Sequence, residues 1–133
     1  MVYMISCGRS RNATESKKHA FCIHLARKTA MLSSHFHRHG CVIYMPSLRT
    51  YVVGFNHETA TTRGYSRTVH AEMHACFRAP KFALRGAVMY VVRLTQSGHR
   101  MTYSEPCKEC AKRIVKFGIA KVFYSVHDHS SWS

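Results

Sequence analysis

"GAVMYVVRLT", residues 86–95, decides the fold class. The run is β-branched and aromatic with almost no polar break, the pattern of a strand buried on both faces. Upstream, residues 70–79 read as a helix that Pro80 ends, and "HETATTRGYSRTV" (57–69) is polar and reads as a loop leading into it. Before that loop, "CVIYM" (41–45) and "TYVVGF" (50–55) flank "PSLR" and read as a hairpin. "NATESKKHAFCIHLARKTAML" reads as a first helix. Asn12, Thr14 or Ser16 is its cap, and Cys22, Leu25, Thr29 and Leu32 recur at helical spacing. Downstream, "QSGHR" is a turn, a third helix starts near Cys107 and stops at Gly118, and "KVFYSV" is the last strand. Strands alternating with helices imply parallel pairing, while the early hairpin adds antiparallel pairing. The expectation is an α/β chain: a three-layer α/β/α sandwich with a mixed β-sheet. One domain spans 1–133, with a flexible N-terminus at 1–11 and a polar tail at 127–133.

The chain has 133 residues, the length of one ordinary domain. Twenty Lys and Arg against six Asp and Glu give a net charge of +14. Such a field attracts polyanions, meaning nucleotide phosphates or single-stranded nucleic acid, and specifies nothing finer. No apolar run approaches the roughly 20 residues of a membrane span, so no membrane partner is expected. The six cysteines are irregularly spaced, and only Cys107 and Cys110 form a tight pair. That usage fits thiols in a reducing, intracellular compartment, the cytoplasm foremost.

The close thiol pair, "PCKEC" (106–110), sits at an expected helix start, where anions are favoured and thiols ionise more easily. Two adjacent thiolates repel, so the pair implies a bound cation or a redox disulfide. A thioredoxin-like motif belongs after the first strand of a βαβ unit, whereas this one lies late in the chain. A closed four-cysteine zinc site needs a second close pair, which is absent. "HAEMHA" (70–75) supplies another ligand type, because His70 also opens an expected helix. Helix N-termini in such a sheet gather at the carboxyl ends of the strands, where ligand sites form. One imidazole and two thiolates leave a fourth tetrahedral position open, as in a catalytic zinc site. Two thiolates blunt the acidity that the ion confers on water, and Glu72 is placed to act as the base that compensates.

His70-Ala71-Glu72 followed by Pro106-Cys107-Lys108-Glu109-Cys110 resembles the signature of the zinc-dependent cytidine and deoxycytidylate deaminase superfamily. The order of elements is similar over roughly residues 40–125. The resemblance implies zinc held by His70, Cys107 and Cys110, with Glu72 moving protons during hydrolytic deamination of cytosine. It further implies contacts to substrate from Asn56, at the end of "VVGFN", and from the backbones of Ala71 and Ser104. His74 stands where many deoxycytidylate-type members carry asparagine. The substrate it implies is a nucleoside or a nucleotide such as CMP or dCMP. One alternative is deamination within nucleic acid, of cytosine in single-stranded DNA or adenosine in transfer RNA. Another is an inactive, basic nucleic-acid-binding module on the same fold. The edge left bare by the last strand calls for cover, either by a second copy in a homo-oligomer or by the N-terminal segment.

Overall fold

The computed structural model of the chain describes residues 3–6, 13–60 and 66–126. Elements β1 (Tyr3–Ser6), β2 (Arg38–Met45), β3 (Thr50–Phe55), β6 (Val88–Leu94) and β8 (Lys121–Tyr124) form one sheet in the order β1-β8-β6-β2-β3. β6 pairs antiparallel with β2 and parallel with β8, so the sheet is mixed. A short β7 (Met101–Thr102) adds to β6 after the turn. Helix α1 (Ala13–Ala30) covers one face, and α2 (Ala71–Arg78), α3 (Lys81–Leu84) and α4 (Lys108–Phe117) serve the other.

The continuous apolar run of β6 follows from this sandwich. Tyr90, Val92 and Leu94 pack with Cys22, Ala26, Ala30 and Val42 beneath α1. Met89 and Val91 point the other way, into a core with Cys41, Ile43, Ala75, Cys110 and Ile114. Successive side chains of a strand face opposite sides, and both sides here are buried.

Two strand glycines set how closely the helices approach. A Cβ at Gly40 would lie 2.1 Å from the carbonyl oxygen of Ala26, and one at Gly54 would lie 2.4 Å from the backbone nitrogen of Ala75. The α1 backbone therefore rests on β2, and the α2 backbone on β3. Gly118 caps α4 in the left-handed conformation with φ 82°, as its place in the sequence predicts.

Three expectations change. Residues 57–69 are not a plain loop: β4 (His57–Ala60) and β5 (Ser66–Val69) pair antiparallel as a separate ribbon. Glu58, Thr59, Arg67 and Thr68 are exposed on it, so the sequence lacks the apolar alternation that marks a half-buried strand. Residues 3–6, placed by the sequence within a flexible terminus, pair parallel with β8 and cover its open edge. Thr14 and Ser16 lie inside α1 rather than ahead of it. The tail at 127–133, together with Asn12, lies outside the described residues.

Candidate active site

His70 and Cys107 occupy equivalent positions. Each is the residue immediately before a helix, α2 or α4, in extended backbone (ψ 150° and 167°), and neither side chain caps its own helix. Both side chains are thus left to face each other. His70 Nδ1 lies 3.2 Å from Cys110 Sγ and 3.9 Å from Cys107 Sγ. The three ligand atoms all fall within 4.8 Å of one another. Zn–S bonds of about 2.3 Å and Zn–N bonds of about 2.0–2.1 Å, at tetrahedral angles, separate nitrogen from sulfur by about 3.5 Å. The observed separations straddle that value, so the three residues fit a zinc ion.

The charges agree with the geometry. Burial, the Glu72 carboxylate and the neighbouring Cys107 all hold the Cys110 thiol well above its ordinary range, with Arg113 opposing. The Cys110 thiol, crowded by the Glu72 carboxylate, needs a cation beside it to ionise. Glu72 is only 4% exposed, and burial raises its pKa against the pull of its own backbone N–H, His70 and the Cys110 thiol. A carboxyl so placed holds a proton more readily than one in water, which suits a group that accepts a proton and gives it back.

Beside the three ligands lies a cavity of about 290 Å³, walled by Asn56, Ala71, Glu72 and Ser104 together with His35, His37 and His39. All the candidate site residues from the sequence meet there or at the ligand cluster. Ala71 is the first residue of α2, so its N–H has no acceptor within the helix. Ser104 is buried, its N–H donates to the carbonyl of Ser125 at 3.0 Å, and its hydroxyl donates to Val91 O at 2.9 Å. Any contact of the Ser104 backbone with a base therefore falls to its carbonyl oxygen. Asn56 is buried and already employed: Oδ1 accepts from the N–H of His39 at 2.9 Å, and Nδ2 donates to His37 O at 2.7 Å. It fixes the cavity wall before any ligand arrives. His74 takes no part in the ligand cluster, since its Nδ1 accepts the Phe55 N–H at 3.0 Å and its ring packs edge-on against Phe55 and His57.

The sequence reading missed the histidine wall. "HFHRH" (35–39) carries histidine at every second position; residues 35–37 bend ahead of β2, and all three rings line the cavity. That periodicity was the available signal. Burial and the nearby Arg93 cation lower the pKa of His39 to about 4, so its ring is neutral in the working range. The reading also missed Ser125, whose N–H and carbonyl both bond to Ser104 and whose hydroxyl donates to Thr102 O at 2.6 Å.

The described cysteines are all free, with Cys22, Cys41 and Cys76 buried as expected of reduced core thiols. Among the described residues no helix is long and apolar enough to cross a membrane.

Comparison with known proteins agrees with this geometry. The cytidine deaminase of Mycobacterium tuberculosis superposes with a TM-score of 0.52 at 16% identity, over 84% of each chain. That of Mycobacterium leprae gives 0.53 at 18% identity, over 77% of this chain and 84% of the other. Identities this low establish a shared fold. No curated protein matches the sequence significantly. Residues 14–126 match the family model described as the cytidine and deoxycytidylate deaminase zinc-binding region, which spans the ligand cluster and the cavity. The chain belongs to the cytidine and deoxycytidylate deaminase family of zinc-binding proteins.

Proposed function

We propose that this chain is a zinc-dependent deaminase that converts cytosine to uracil in a nucleoside or nucleotide, releasing ammonia. One observation carries the reading: the buried Glu72 carboxyl stands in the wall of a cavity that also touches His70 and Cys107. In this reading His70, Cys107 and Cys110 hold the ion, which when bound supplies the Lewis acidity that makes water nucleophilic near neutral pH. Glu72 takes a proton from the attacking water as oxygen bonds to C4 of the ring. It passes that proton to N3, then assists proton transfer to the departing amine as the C4–N bond breaks. In this reading the Ala71 N–H bonds the ring carbonyl, and the Ser104 carbonyl accepts from the exocyclic amine. Asn56 holds the 37–39 segment in position and keeps a second amide hydrogen for the substrate.

Glu72→Ala tests this role. The variant should keep its zinc, measured by elemental analysis, and lose turnover by roughly 10²–10⁴-fold. Uracil release at the parental rate would remove Glu72 from the chemistry. A panel of cytidine, CMP, dCMP, single-stranded DNA and RNA, followed by ammonia release, sorts the substrate class. The net charge of +14 favours a second reading, deamination within a polynucleotide, because a strand needs an extended basic track. Turnover confined to mononucleotides would end that second reading.

A further inference from the structure

A second cavity, of about 450 Å³, adjoins the substrate cavity, and His37 lines both. Its wall includes Phe36, Arg93, Thr95, Ser97 and Thr102, and among the described residues no carboxylate lines it. Arg93 reaches it from β6, where it sits opposite His39 in the strand register, so the guanidinium stem rises beside the histidine wall. Arg93 Nη2 donates to His37 Nδ1 at 2.6 Å. That bond leaves the ring proton on His37 Nε2, turning the exposed side of the imidazole into a donor. Two buried polar atoms of this wall lack hydrogen-bond partners: Arg93 Nε and Thr102 Oγ1. They are cross-strand neighbours, since Arg93 pairs with Thr102 between β6 and β7. Both atoms are closed to solvent, as are His35 Nε2 and Arg38 Nε outside this wall, which also lack hydrogen-bond partners, so they report local packing and not a contact to a ligand.

We propose that this cavity is a phosphate pocket, in which Arg93 and His37, with the hydroxyls of Thr95 and Ser97, bind a phosphate of the substrate. The assignment rests on the deaminase reading, because it takes the neighbouring cavity to hold the reacting base. A guanidinium beside an imidazole donor, with hydroxyls and, among the described residues, no carboxylate, is a donor set suited to phosphate oxygens. The shared wall at His37 lets one ligand place its base against Glu72 and its phosphate against Arg93. The phosphate is either the monoester of a mononucleotide or a diester of a strand. In the second case the exposed Phe36 ring, 64% accessible, is available to stack a flanking base.

The test compares kcat/KM for cytidine, CMP and a single-stranded oligonucleotide with one cytosine, in the zinc-loaded wild type and in Arg93→Gln and His37→Gln. The wild type should prefer a phosphate-bearing substrate. Arg93→Gln should shrink that preference by roughly 10- to 100-fold, the worth of a hydrogen bond to a charged group, mainly through KM. An unchanged preference in both folded variants overturns the proposal, as does a wild type that favours cytidine. Preference for CMP over the oligonucleotide assigns the monoester, and the reverse assigns the diester. Calorimetric titration with CMP and with inorganic phosphate gives a readout independent of turnover. Phosphate binding that Arg93→Gln weakens, in a protein with no activity on any substrate, would sink the deaminase reading and keep the pocket. Absence of binding alongside cytidine turnover would do the opposite.

Discussion

His39 sits in the cavity wall as a neutral imidazole, with burial as the main cause and the Arg93 cation second. Its pKa falls from 6.5 in the unfolded chain to about 4 in the fold. The unfolded chain therefore binds more protons between these values, and stability rises with pH across the window. The contribution is complete above pH 6.5 and is lost as pH falls toward 4, at about 3 kcal/mol if the whole shift is expressed. His39→Gln should flatten the urea-midpoint profile between pH 6.5 and 4. An unaltered slope would assign the acid sensitivity to other groups. Side chains such as His70, Glu72, Cys107 and Cys110 were legible because tight local spacing encodes them. Asn56 was legible as a candidate, but its bonds to His37 and His39 cross 19 and 17 residues of chain, a closure that no local pattern records.

Helix α2 carries Glu72 and follows His70, and its height over the sheet is set by Gly54. A methyl at position 54 would meet the backbone of Ala75 and Ala71 rather than a movable side-chain tip. Gly54→Ala should therefore cost about 1–3 kcal/mol through overpacking, and weaken zinc affinity as His70 shifts against Cys110. Gly86→Ala makes the useful contrast: it is strained at φ 78° with nothing within 4 Å, so about 1 kcal/mol should be lost without any change in metal affinity. Chelator competition on both variants separates the outcomes, and equal affinities would show that α2 can ride up without moving its ligand. Strands β6, β2 and β3 and the start and stop of α4 were readable because apolar runs and a capping glycine announce them. The β4–β5 ribbon was not, since its exposed polar residues carry no apolar alternation and it is the backbone pairing that defines it.

At the scale of the molecule, the sheet ends on β3 at one edge and on β1 at the other. Residues 3–6 occupy the hydrogen-bonding groups of β8, so removing residues 1–6 should leave that strand open. Light scattering should then show concentration-dependent self-association, and a monodisperse truncated protein would mean that β8 needs no cover. The sequence posed this edge as a problem with two solutions, a second copy or the N-terminal segment. Four residues, "YMIS", are too few to announce a strand by periodicity, and only pairing with β8 identifies them.

The metal ligands enter the chain at two separate times. His70 is synthesised first; β6 and its turn follow, and only then do Cys107 and Cys110 arrive. No complete set of ligands exists on a growing polypeptide until Cys110 has been made. Until the ion is bound, the two sulfurs are an unguarded dithiol, one oxidation away from closing on each other. Refolding the reduced, denatured chain should thus show zinc uptake lagging behind recovery of helical circular dichroism. Refolding in air without reductant should yield protein that has regained its secondary structure yet can no longer be charged with metal.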